Sequence, residues 1–299
     1  MKKKRNPKKR TPKKTPYKKL PLSDAFMFGE VMRKEPIAKA FLESLLCKKI
    51  AEIRYAEKEQ DISDDPESHG IRLDVYIEDE NRTRYNVEMQ TSKNDDIQKR
   101  SRYYQSGIDR RFLERGAKYK ELPESFVIFV CDFDFYKRGL AQYERLSVIK
   151  DAKDVVYNDG SHVIMLNTHY KKGNAPKEIL EFLDYIKSKD DDFSCVSSLV
   201  QMAKDELDVV RNDKRKEERY MTWQLSIQEA EERGEKRGEK RGEKRGEKRG
   251  EQKTLAKAIL AFADILTPED IADRLNVPLK EVQRVLGNAH HQETSKKKN

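Results

Sequence analysis

Ile71-Arg72-Leu73-Asp74-Val75-Tyr76-Ile77 and Tyr85-Asn86-Val87-Glu88-Met89-Gln90 decide the fold. In both segments the odd-numbered residues are apolar. Strand side chains alternate faces with period two, so each segment reads as a strand with one apolar and one mostly polar face. Between them Glu78-Asp79-Glu80-Asn81-Arg82 is rich in turn formers, which predicts a tight β-hairpin. If even residues pair with even ones, Asp74 and Glu88 share a face, and Gln90 projects the same way. Two carboxylates and an amide converging on one face can hold a hard divalent cation. The bland alternative is two acids on a solvated strand face, since exposed carboxylates are ordinary. The flanking apolar faces argue against it, because a carboxylate on a buried strand needs a partner.

Downstream, Asp95 to Arg115 carries Ile97, Tyr104, Ile108 and Phe112 at helical spacing, with Lys99, Arg100, Arg102, Arg110 and Arg111 on the same helix. Phe126-Val127-Ile128-Phe129-Val130-Cys131 then reads as a strand buried on both faces. Strand, helix, strand is a βαβ unit, with a right-handed crossover expected. Another strand is expected at Val163 to Leu166 after a long connection. Upstream, Ile53-Arg54-Tyr55 suggests a strand, followed by the acidic loop Asp61 to Gly70. Asp24 to Cys47 reads as one or two helices, interrupted near Pro36, with Ser23 or Asp24 as N-cap and Glu43 placed late enough to face the sheet. The core is therefore α/β.

The ends read differently. Residues 1–19 are mostly Lys, Arg, Pro and Thr and should be disordered, either a phosphate-binding arm or a solubilising tail. The packed domain is expected over 20–192. A charged helix holding Trp223, the one Trp, should span 193–232. Residues 233–252 are five copies of Arg-Gly-Glu-(Lys/Gln). Each Gly costs about 1 kcal/mol against Ala in a helix, so this segment reads as a solvated, partly helical spacer. Residues 253–287 resemble a helix-turn-helix, with Thr267-Pro268-Glu269-Asp270 as a strong helix start and Gly287 as a helix end. Such a unit serves DNA contact or self-association. Residues 288–299 should be a disordered tail.

Composition sets the outer bounds. Of 299 residues 36% are hydrophobic and 39% charged, too polar for one dense core throughout, and the net charge of +9 favours a polyanionic partner. Cys47, Cys131 and Cys195 are scattered, and the five histidines form no HExxH or Cys/His cluster, so neither a disulfide framework nor zinc is expected. No apolar run approaches the ~20 residues that span a bilayer. The expected address is the cytoplasm, at the nucleoid.

Ser23-Asp24-Ala25-Phe26, Ile71 to Val75, Val87 to Gln90, Arg100-Ser101-Arg102-Tyr103-Tyr104 and Phe126 to Val130, in this order, resemble the Rpn family of recombination-promoting nucleases, transposase-like members of the PD-(D/E)XK superfamily. The resemblance covers roughly residues 20–170. It implies a restriction-endonuclease-like core, a mixed central sheet flanked by helices, with a C-terminal helical extension. It implies metal-dependent DNA cleavage linked to recombination or mobile elements. Asp74, Glu88 and Gln90 would be catalytic. Asp74, Glu88 and the backbone carbonyl of Met89 would hold Mg²⁺, with Mn²⁺ or Ca²⁺ as substitutes. Asp24, Glu43, Arg100 and Tyr104 are supporting candidates, and Lys93, Lys99, Arg100 and Arg102 candidate DNA contacts. The superfamily has Lys where this chain has Gln90, so a nearby cation is expected to take over its role. Arg100 is the first candidate and Arg72 the second. The alternative is a catalytically inactive DNA-binding or scaffolding protein of the same fold. Homo-oligomerisation through the C-terminal helices is a further expectation.

Overall fold

A computed structural model describes residues 15–54, 61–62, 71–72, 75–93, 96–113 and 116–296. The arm before residue 15, most of the acidic loop, and Asp74 lie outside these. In chain order the elements are α1 (Ala25–Met32), α2 (Glu35–Leu46), β1 (Ile53–Arg54), β2 (Asp61–Ile62), β3 (Ile71–Arg72), β4 (Val75–Asp79) and β5 (Arg84–Gln90). Then come α3 (Ile97–Phe112), β6 (Ser125–Cys131), β7 (Gln142–Glu144), β8 (Val148–Ile149), β9 (Ala152–Val156), β10 (Ser161–Asn167), α4 (Lys177–Ser188), α5 (Ser198–Asn212), α6 (Lys214–Phe262), α7 (Pro268–Leu275) and α8 (Leu279–Lys296).

The main sheet has the order β1-β4-β5-β6-β10-β7. The β4–β5 hairpin is antiparallel and pairs Val75 with Val87, Tyr76 with Asn86 and Ile77 with Tyr85, so even residues do face even ones. Its turn is built by Asp79, whose side chain is buried. Asp79 Oδ1 accepts the N–H groups of Asn81 and Thr83, both at 2.9 Å, and Oδ2 accepts Tyr85 OH at 2.8 Å. Arg82 takes the left-handed conformation at φ 62°. β5 and β6 are parallel, as are β6 and β10, so β5-α3-β6 is the expected βαβ unit. Its helix is tied to both later strands by one side chain. Gln105 Nε2 donates to the carbonyls of Ser125 and His162, and Gln105 Oε1 accepts Ser125 Oγ.

All seven residues of β5 are buried, so its polar face is covered as well as its apolar one. Paired residues of parallel strands share a face. The face of Glu88 therefore continues through Val127, Phe129, Val163 and Met165, which pack with Ile97, Tyr104 and Ile108 of α3. α1 lies against β5, and α1, α2, α4 and α5 pack on one another, with Phe41 and Phe182 5.5 Å apart between ring centres. The molecule's first compact unit is thus a mixed sheet flanked by helices.

That unit runs through Tyr220, so the expected boundary near residue 192 falls inside it. Leu199, Ala203, Leu207 and Val210 of α5 recur at helical spacing and are buried. Arg211 donates from Nε and Nη2 to the carbonyl of Leu20, at 2.9 and 2.7 Å. At the start of α6, Lys216 and Arg219 reach the buried Glu30 at 3.3 and 3.1 Å, and Arg33 does so at 2.7 Å. Order also begins before residue 20. Tyr17 is buried, its hydroxyl donates to the carbonyl of Val210 at 2.9 Å, and its ring packs on Phe26 and Tyr220. The single charged helix expected over 193–232 is two, because Asp213 leaves helical geometry and its Oδ1 caps α6 by accepting from Arg215 N.

The second unit, Met221–Asn299, is helical throughout its described elements. The Arg-Gly-Glu repeat is continuous helix rather than partly helical, and its glycines have open space around them. Ile259, Ile271, Ala272 and Val282 form a small core with Leu255, Phe262, Leu275 and Leu286 around it. Thr267 caps α7 as expected: its Oγ1 accepts Asp270 N and donates to Asp270 Oδ2. Gly287 does not end the last helix. α8 runs through it to Lys296, replacing the expected tail.

Candidate functional site

Period two puts Asn86, Glu88 and Gln90 on one side of β5, and all three are buried. Glu88 is 1% exposed, which without compensation would cost several kcal/mol. Each carboxylate oxygen is engaged. Asn86 Nδ2 donates to Oε1 at 3.0 Å, and Gln90 Nε2 donates to Oε2 at 3.2 Å. The charge is met by Arg100, one turn into α3, whose Nη2 donates to Glu88 Oε2 at 2.9 Å. Arg100 Nη1 donates to Gln90 Oε1 at 2.7 Å, so the guanidinium spans the carboxylate and the amide.

Arg100 is itself held. Its Nη2 also donates to Tyr104 OH at 2.8 Å, and its centre lies 5.4 Å from the Tyr104 ring and 5.9 Å from that of Phe129. Arg100 and Tyr104 are four apart on α3, so the helix repeat stacks them. Burial disfavours the guanidinium's charge, but Tyr104, Glu88 and Asp96 outweigh it and raise its pKa. Arg100 is thus the cation that touches Gln90, whereas Arg72 pairs on the separate β2–β3 ladder.

The other candidates fall elsewhere. Asp24 is the N-cap of α1, its Oδ1 accepting from the N–H groups of Phe26 and Met27. Burial raises its pKa against those two hydrogen bonds. Glu43 closes the α2–β1 connection, accepting from Ile50 N at 2.8 Å and Lys49 Nζ at 3.4 Å, and these contacts hold its pKa down. Met89 turns its side chain to the opposite, buried face. Lys93, Lys99 and Arg102 are exposed. Asn86 was not singled out, although its parity with Glu88 and Gln90 was legible in the sequence. Among the described residues, no donor reaches its Oδ1. Cys131, on the same face, is no nucleophile: burial pushes its thiol up to about 12.

The row Glu88-Met89-Gln90 thus sits mid-sheet, in the strand after a hairpin turn and before a βαβ helix. The family model for PD-(D/E)XK nuclease family transposases matches residues 25–231. The chain belongs to this family. No curated protein and no solved structure matches it. The span of the PD-(D/E)XK match starts at α1 and ends within α6, so it takes in α5 and the Glu30 contacts that extend the first unit. A nuclease or transposase-like role follows at the level of the family. Among the described residues no helix is long and apolar enough to cross a membrane.

Proposed function

We propose that the chain is a divalent-metal-dependent DNA endonuclease that hydrolyses phosphodiester bonds, in a setting of recombination or mobile elements. The observation that carries this reading is the buried Glu88, clasped with Gln90 by Arg100 on a strand whose next position back across the hairpin ladder adjoins Asp74 in sequence.

The donor set fits a hard cation. Mg²⁺ needs only one or two carboxylates beside water and substrate oxygens. A carboxylate offers about four acceptor sites, so Glu88 can accept hydrogen bonds from the protein and hold an ion at once. Among the described residues, no donor reaches the buried Asn86 Oδ1. Asp74, Glu88 and the Met89 carbonyl are the residues that would hold the ion. When bound, it would supply positive charge at the scissile phosphate and lower the pKa of a coordinated water.

The chain's own residues do the rest. Arg100 neutralises Glu88 and fixes the Gln90 amide, orienting that amide toward an attacking water. Its guanidinium is also the fixed charge available to phosphoryl oxygens, in place of the superfamily Lys. Exposed Lys93, Lys99 and Arg102 are phosphate contacts. The same Arg100–Glu88 bond favours a second reading, a non-catalytic DNA-binding or scaffolding protein in which the carboxylate is already neutralised. Self-association through the C-terminal helices and a place at the nucleoid belong to the proposal too.

Conversion of supercoiled plasmid by the purified protein with Mg²⁺, Mn²⁺ or Ca²⁺ separates these readings. The nuclease cuts with a divalent ion and stops in chelator, and Asp74→Ala and Glu88→Ala cut at least about a hundredfold more slowly. If both variants cut as fast as wild type, the site is misassigned. Binding without cutting under any of the three metals selects the non-catalytic role.

A further inference from the structure

We infer that two interlocked loops at the carboxyl edge of the sheet, carrying Lys137, Arg138, Lys171 and Lys172, form a second contact surface for the phosphate backbone of a nucleic-acid strand. This rests on the nucleic-acid substrate proposed above. Parallel β5, β6 and β10 end in register, Gln90 beside Cys131 and Cys131 beside Asn167. Ligands of open α/β sheets gather at this edge. The loop after β6 and the loop after β10 both leave from it.

The two loops are one piece of backbone structure. Lys171 N and Lys172 N both donate to the carbonyl of Gly139 at 2.8 Å, and Ala141 N donates to that of Lys172 at 3.0 Å. Asn167 Nδ2 donates to the carbonyl of Leu140 at 2.8 Å. Gly139 takes φ +72°, and an added Cβ would lie 3.3 Å from Lys171 Cβ, so the close approach suits glycine. Asp134 shapes the first loop from within: Oδ1 accepts Lys137 N at 2.8 Å and Tyr143 OH at 2.7 Å, and Oδ2 accepts Gly139 N at 2.7 Å.

All four cations are exposed, and among the described residues none has an ion-pair partner. Of the two carboxylates in the loop after β6, Asp134 is spent on backbone N–H groups and the Tyr143 hydroxyl, and Asp132 on Thr168, His169 and Lys189. Lys189, by contrast, pairs with Asp132 at 2.9 Å. Four unpaired charges on a pinned scaffold are therefore a concentrated positive surface and not a scatter of solvated lysines. The platform is linked to the site. Asp132 N donates to the carbonyl of Gln90 at 2.9 Å, and Gln98 Nε2, two residues before Arg100, donates to Tyr136 OH at 3.1 Å. Tyr136 is 40% exposed beside Lys137, which leaves ring surface for a base to stack on. A strand crossing Arg100 and Gln90 would meet Tyr136 and then the four cations.

The test is the salt dependence of binding by the full chain, in chelator, to a fluorescent 20-mer as single strand and as duplex. Each phosphate contact contributes about 0.7–0.9 to the slope of log K against log salt. Replacing Lys137, Arg138, Lys171 and Lys172 by Gln is expected to reduce that slope by about 3, and affinity near physiological salt by at least about tenfold. Each pair of neutralisations alone should give about half of the change in slope. Because these side chains make none of the bonds that hold the loops, circular dichroism and the urea midpoint should stay at wild-type values. An unchanged slope in the fourfold variant overturns the surface, whatever the protein cleaves. A platform-dependent slope in a wild-type protein that cuts nothing with any divalent ion keeps the surface and removes the hydrolase reading.

Discussion

Removing Arg100 tests the arrangement around Glu88 most sharply. Arg100→Ala leaves a carboxylate that is 1% exposed without its guanidinium partner, and it frees Gln90 Oε1. Breaking one partner of a buried ion pair costs about 3–5 kcal/mol. The Arg100 side chain is 26% exposed, so water replaces part of what is lost, and about 2–3 kcal/mol is expected. Glu88→Gln leaves the guanidinium with Tyr104 and Gln90, for about 1–2 kcal/mol. The double variant holds no uncompensated buried charge, so its cost should fall short of the sum by about 2 kcal/mol. Urea unfolding followed by far-ultraviolet circular dichroism, fitted to the transition of the α/β unit, reads all four corners of the cycle. Additivity within about 0.5 kcal/mol would refute the coupling between Arg100 and Glu88.

Asp132 predicts a pH dependence. Burial raises its pKa, but Lys189, His169 and Thr168 together hold it below the ordinary value. Between the folded value and the unfolded one, near 3.9, only the unfolded chain is protonated, so stability rises with pH there. The contribution is complete above pH ~4 and lost as pH falls through the depressed value; Asp132→Asn should flatten that limb of the acid-unfolding curve, and an unchanged limb would count against the cluster. In the repeat, Gly238→Ala and Gly242→Ala meet open space on exposed helix, and each should stabilise it by about 0.5–1 kcal/mol, seen as a higher melting point of the 222 nm signal; a lower melting point would show that the segment is not helix in solution. Thr267→Ala removes the cap of α7 and should cost the C-terminal unit about 1 kcal/mol by its own melting transition. An unshifted transition would show the cap to be idle.

The hairpin was legible because period-two alternation is a strong signal and an even-with-even register puts Glu88 and Gln90 on one face. β6 was legible because a continuous apolar run needs two covered faces. Arg100 could be named as the cation beside Gln90, but that it spans Glu88 and Gln90 while resting on Phe129 depends on how α3 lies over β6. The role of Asp79 was hidden because a turn acid looks the same whether it is solvated or accepts three hydrogen bonds. Glu30 was hidden because two of its three cations, Lys216 and Arg219, come from the far end of the domain. The same long-range pairing moved the domain boundary from 192 to 220, since a charged segment such as α5 and early α6 reads as solvated until its partners are known. β7 to β9 are short, half-buried or exposed segments with no alternation to detect. Gly287 stands in a helix because one glycine in an otherwise helical run costs only about 1 kcal/mol.

The central claim is that Glu88 is a metal-binding carboxylate in a nuclease site. A crystal of the chain soaked in Mn²⁺ and measured at the manganese edge addresses it directly. The account predicts an anomalous peak about 2.0–2.6 Å from a Glu88 oxygen, with Asp74 among the other ligands. No peak there, with Glu88 bonded only to Asn86, Gln90 and Arg100, would contradict it.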